Sequence, residues 1–123
     1  MSNAALVYLS NLLSGEDQQV GAQGVITAGN QYETVAASQT DQAMGVTGAA
    51  ADYLDKLICV VATAATAQVQ IKDGAGSAIT VLPNSPGGGV GTYVIPIGLK
   101  STSGAWKITT AAGVSVIGCG KFT

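Results

Sequence analysis

From residue 53 onward, apolar and polar positions alternate in short runs separated by turn residues. In "AQVQIKD", Val69 and Ile71 alternate with Gln68, Gln70 and Lys72, which places one face in a core and the other in water. The pattern returns in "SAITVL" with Ile79 and Val81, and in "TYVIPIGLK" with Tyr93, Ile95, Ile97 and Leu99. "GAWKITT" offers Trp106 and Ile108 inward, and "GVSVIGCGKFT" offers Val114 and Val116. "YLDKLICVVAT" differs, because the run Leu57 to Ala62 is apolar on both parities. Such a run predicts a central strand covered on both faces. Pro96 lies on the opposite parity from its apolar neighbours and cannot donate to a ladder, so its strand belongs at an edge or carries a bulge.

"DGAGS", "STSG" and "AAG" separate these strands and supply residues that tolerate turn conformations. No helix of ten or more residues intervenes, which disfavours an α/β fold. The prediction is all-β: an antiparallel β-sandwich, jelly-roll-like, over residues 52–123. Before residue 52 the chain is rich in Gln, Asn, Ala and Thr, and its periodicity is weak. Residues 1–51 therefore read as a less regular N-terminal arm serving docking or oligomer contacts. Within it, "GVITA" and "YETVAA" form two weak strands joined by "GNQ" as a hairpin. Leu6, Leu9 and Leu13 stand at helical spacing, giving a short helix over residues 4–13 that needs a surface to lie on, in its own domain or on a neighbour.

Composition narrows the function. The 123 residues fit one domain, 47% are hydrophobic and only 10% are charged. There is no arginine, and the pI is near 4.6; nucleic-acid binding needs a dense cationic face instead. No apolar run reaches 18 residues, so no membrane-spanning helix is expected. The apolar opening "MSNAALVYLSNLLSGED" lacks a basic start and reads as mature protein. Charge is uneven: six of the seven acidic residues precede Lys56, and all five lysines lie from there onward. An acidic front and a mildly basic back suit two different contacts. Cys59 and Cys119 fall in strand-like stretches, which favours buried thiols and leaves a single bridge open.

Candidate chemistry is sparse. "PNSPGGGVGTYVIPI" suggests a phosphate loop, but "GGGVG" leads into Thr92, Tyr93 and a strand, with neither the lysine nor the helix a phosphate cradle requires. The dinucleotide fingerprint fails too, at Thr92 and Val94. The loop is better read as a connection crossing between sheets or lying against a neighbouring subunit. Gly113, Gly118, Gly120 and Lys121 make a nearer miss, with strand-like residues between them. The chain has no histidine, so triad chemistry and imidazole ligation are unavailable. Asp52 with Asp55 and Glu16 with Asp17 are the only close carboxylate pairs, and "KDGAGS" supplies one carboxylate where a calcium loop needs several. Trp106, Tyr8, Tyr32, Tyr53 and Tyr93 could line a sugar platform, but Trp106 and Tyr93 share parity with core aliphatics. The expectation is a protein that is not an enzyme, with no cofactor, metal or small-molecule substrate.

Residues 52–123, through "IKDGAGSAI", the glycine-rich loop, "GAWKITT" and "GVSVIGCGKF", resemble small β-sandwich virion proteins of tailed bacteriophages. The resemblance is to head decoration (cement) proteins and related head-fibre modules. It implies a jelly-roll-like domain on the exterior of the capsid, bound to the major capsid protein as a symmetric oligomer, dimer or trimer. It also implies an N-terminal arm in shell or neighbour contacts. The docking residues expected there are Leu6, Tyr8, Leu9, Leu12, Leu13, Glu16 and Asp17. The alternative function is a carbohydrate- or receptor-binding tip module of a tail fibre or lectin, using the loops around 83–91 and 100–104.

Overall fold

The structure, a computed structural model, describes residues 30–123. Eight strands run in order: β1 (Gln31–Val35), β2 (Gln42–Ala43), β3 (Tyr53–Val61), β4 (Val69–Asp73), β5 (Ile79–Leu82), β6 (Gly91–Lys100), β7 (Trp106–Thr110) and β8 (Val114–Lys121). One 3-10 turn, Ala64–Thr66, precedes β4. The strands form two four-stranded sheets ordered β1-β8-β3-β6 and β2-β7-β4-β5. β1 pairs with β8, β2 with β7, β3 with β6 and β4 with β5, all antiparallel. A chain paired this way is one long antiparallel ribbon folded over on itself. The β3–β8 and β4–β7 ladders then close it into two sheets, which is the eight-stranded jelly roll.

The predicted sandwich is therefore present, but it begins earlier than the composition shift suggests. The compact unit is Gln31–Thr123, so residues 31–51 belong to it and not to an arm. Their periodicity is weak because β1 and β2 are short edge strands with exposed polar positions. The expected 4–13 helix, the "GVITA" strand and its hairpin, and all seven docking residues from Leu6 to Asp17 lie outside the described residues.

Alternation predicted the buried side correctly in the sheet interiors. Trp106, Ile108, Val114, Val116, Val69 and Ile71 are buried, together with Leu54, Leu57, Cys59 and Val61 from β3. β8 alternates throughout, with Val114, Val116, Gly118 and Gly120 inward. Met44 fills the space above Gly118, where a Cβ would lie 2.5 Å from its Cε. Glycine lets a fully buried methionine close against the backbone of the strand between β1 and β3.

Two expected core residues are not covered. Ile79 is 52% exposed and Leu99 57%, although Ile79 pairs with buried Ile71 and Leu99 with buried Leu54. Both stand on edge strands, and the ten residues of β6 outrun the four or five of β4, β5 and β7. Parity fixes which side a residue faces, and the opposite sheet decides whether it is covered. Pro96 lies on β6, an edge strand as predicted. The register slips beside it, between Leu54 and Lys56. β3 is an interior strand, also as predicted, but Val60 is 43% exposed. Among the described residues its outer face is open.

Candidate functional site

Each carboxylate of the described residues serves the scaffold. Asp73 ends β4 and accepts hydrogen bonds from the Thr102 amide (2.8 Å), the Thr102 hydroxyl (2.6 Å) and the Ser103 amide (2.9 Å). It thereby ties the β4–β5 turn to the β6–β7 connection. The Thr102 hydroxyl and the Ser103 amide stabilise the charged form and pull its pKa down to about 2. Asp52 is buried, and its carboxylate accepts from the Ala49 amide (3.1 Å) and from the amide and hydroxyl of Thr123 (3.2 and 3.1 Å). Its carbonyl accepts the Trp106 indole N–H (2.9 Å) and the Ser101 amide (2.8 Å). Glu33 accepts the Gly45 amide at 2.7 Å. Asp41 pairs with Lys72 at 2.9 Å, which holds its carboxyl below the usual range. Asp55 accepts the Tyr53 hydroxyl at 3.0 Å, which pushes that phenol up.

The close pair Asp52 and Asp55 thus has separate partners. Among the described residues no three His, Cys, Asp or Glu side chains converge as metal ligands. The cysteines are both free. Cys59 points into the core and Cys119 is half-buried on the outer parity of β8. In the β3–β8 register Cys119 is opposite Lys56 and Cys59 opposite Val116, so the two thiols lie on opposite faces of one sheet. Burial pushes the Cys59 thiol up to about 11, where it is not nucleophilic at neutral pH.

The glycine-rich loop does cross between sheets, from β5 in one to β6 in the other. It folds back on its own strand: the Tyr93 hydroxyl donates to the Gly89 carbonyl at 2.6 Å. A Cβ on Gly88 would meet that hydroxyl at 2.5 Å. Loops 83–91 and 100–104 flank the two ends of β6, a ten-residue strand, and so stand roughly 30 Å apart at about 3.3 Å per residue. They do not share one ligand. Trp106 is buried and Tyr93 packs against the core, so neither forms an exposed sugar platform.

What the scaffold does present is one broad face. The register places Tyr32 and Thr34 of β1, Ser115, Ile117 and Cys119 of β8, Ile58 and Val60 of β3, and Thr92, Val94 and Pro96 of β6 on the outer side of their sheet. Val94 is 60% exposed and Tyr32 72%. At one end of this face Tyr53 is paired with Lys100 on one side and Lys121 on the other, and Lys56 follows on the same strand. The outer side of the second sheet is different. There Gln70 is opposite Thr80 and Thr109, and Lys72 opposite Lys107, with the Gln70 amide donating to the Thr80 hydroxyl at 3.1 Å. Both sheets cover the same core; only one has a predominantly polar back. Sequence reasoning did not assemble this face. Its signal was apolar residues on both parities of "LICVV" and "YVIPI".

No protein-family model matches the chain, and no curated protein matches it. Several solved structures show a weak likeness. One is the C-terminal domain of a structural protein from sulfolobus turreted icosahedral virus, at 12% identity over 74% of this chain and 98% of that chain, TM-score 0.32. Another is the VLP of the giant freshwater prawn Macrobrachium rosenbergii extra small virus, at 12% identity over 76% and 79%, TM-score 0.32. A third is a 3,4-ketoisomerase from Helicobacter canadensis, at 10% identity over 76% and 61%, TM-score 0.32. At these scores the likenesses carry no argument about activity.

Proposed function

We propose that the chain is a structural protein of a virus particle that works by surface contact and not by catalysis. The observation that carries this reading is a jelly roll in which every described carboxylate is spent on holding loops and strands, while one outer sheet face exposes apolar side chains at its centre. A scaffold of this kind offers area, and symmetric repetition turns a modest contact into a tight attachment. The resemblance of residues 52–123 to phage decoration proteins supports the finer form of the reading. In that form the protein decorates or cements the exterior of a bacteriophage capsid as a symmetric oligomer bound to the major capsid protein. Leu6, Tyr8, Leu9, Leu12, Leu13, Glu16 and Asp17 then supply the capsid contact.

Occupancy on purified capsids tests it. Full-length protein is expected to saturate the outer shell at a fixed ratio to the major capsid protein. A variant lacking residues 1–29, which leaves β1 whole, is expected to lose that binding. Equal occupancy by the shortened chain would overturn the docking role, and absence of the full-length chain from the shell would overturn the virion reading.

A further inference from the structure

We propose that the outer face of the β1-β8-β3-β6 sheet is where a second copy of this chain docks, sheet against sheet. The inference is independent of any role in a virion. It starts from the strand that carries apolar residues on both parities. Antiparallel strands with one solvated face normally alternate apolar and polar residues, as β4 and β7 do here. β3 and β6 do not: Ile58, Val60 and Val94 lie on the side away from the core. Ile117, Ile58 and Val94 stand opposite one another as an apolar row across β8, β3 and β6, with Val60, Cys119, Tyr32 and Pro96 around it and Thr34, Ser115, Thr92 and Lys56 interspersed.

The dimensions fit a second copy. Four strands about 4.8 Å apart and five to ten residues long, at about 3.3 Å per residue, span roughly 500 Å² in projection with the lysine end included. Two such faces stacked bury about 1,000 Å² even before side-chain relief is counted, which reaches the size a specific interface requires. Sheets stack face to face about 10 Å apart with little penalty, because neither has backbone groups left to satisfy on its faces. The lysines choose between the two ways of stacking. If the two-fold axis ran along the strands, Lys56, Lys100 and Lys121 of both copies would crowd together with one Asp55 carboxylate each to offset them, and the net like charges opposed across an interface are costly. An axis across the strands sets each lysine cluster over the neutral end of the other copy, where Ser115, Thr92 and Val60 lie.

The test uses the full-length chain, whose mass is 12.1 kDa. Sedimentation equilibrium is expected to give twice that mass, and Val94→Asp is expected to weaken the dimer by roughly a hundredfold or more, since each dimer would bury two unpaired carboxylates. Val94 is largely exposed within one copy, so the variant should keep the parent's far-UV circular dichroism and cooperative unfolding, its thermal midpoint falling only by the concentration-dependent part that dimerisation adds to the parent. Thr80→Asp, on the outer side of the other sheet, should leave the dimer intact. Thiol labelling gives a second readout: Cys119 should be protected in the parent and reactive in Val94→Asp. A dimer indifferent to Val94→Asp would overturn the proposal, as would a monomer, whether its Cys119 reacts or is protected by some other occupant of the face.

Discussion

Gly118 sits on the inner parity of β8, beneath Met44, and replacing it with alanine sets two effects against each other. The backbone there is ordinary, with no positive φ, so alanine can adopt it and gains about 0.4–1 kcal/mol by restricting the unfolded chain. Against this, the new methyl would stand 2.5 Å from the Met44 Cε, with the Ile108 Cδ1 already at 3.4 Å. Met44 and Ile108 are both fully buried, so the flexible end of the methionine can yield only by repacking within the core. Overpacking of this kind costs about 1–3 kcal/mol. The net expectation for Gly118→Ala is a loss of about 0–2.6 kcal/mol, centred near 1 kcal/mol or roughly 4–8 °C in thermal midpoint for a domain of this size. The sharper expectation concerns Met44→Val, which removes the clashing methyl at its own cavity cost. In that background Gly118→Ala should change sign and become stabilising by a few tenths of a kcal/mol or more. Urea denaturation of the four proteins of this cycle measures it. If Gly118→Ala costs the same with methionine or valine at 44, the packing account of this glycine is wrong.

Three further outcomes follow from the same contacts. Trp106→Phe should cost about 1–3 kcal/mol in urea melts from lost volume and the lost indole hydrogen bond; the low end is favoured because the Asp52 carbonyl keeps the Ser101 amide. The Asp73 pKa is depressed to about 2 from an ordinary 3.8, so its stabilisation is complete above about pH 4 and is lost as pH falls toward 2. Asp73→Asn should flatten the thermal midpoint across that window, and a parallel acid decline in both proteins would refute the assignment. Cys59 should resist maleimide in native Val94→Asp, where Cys119 reacts, and should label only in denaturant; mass spectrometry of the adducts distinguishes the two sites.

The strand pattern was legible in the sequence wherever a strand had neighbours on both sides. β4, β7 and β8 show a buried parity because one side of each meets the opposite sheet, and Val69, Ile71, Trp106, Ile108, Val114 and Val116 were assigned to the core on parity alone; β3 was read as interior from its doubly apolar run instead. Pro96 announced an edge because it lacks the N–H a second partner would need. The absence of histidine and arginine bounded the chemistry with no reference to the fold.

Pairing and coverage were decided only in three dimensions. Nothing in "QYETV" indicates that it closes a ladder with the last strand of the chain, so the unit boundary moved from residue 52 to Gln31. Asp52 read as half of a close carboxylate pair and Asp73 as the lone carboxylate of "KDGAGS" until their hydrogen bonds with Thr123 and Thr102 placed them in the scaffold. Ile79 and Leu99 show the limit of parity, since an edge residue can face inward and still meet solvent. The doubly apolar run of β3 shows the converse. The sequence by itself determined that both sides of this strand are apolar, because hydrophobicity belongs to each residue. Only the tertiary structure decided which side the core takes, because burial depends on what the rest of the chain brings against it, and the side left over is the surface a second copy fits.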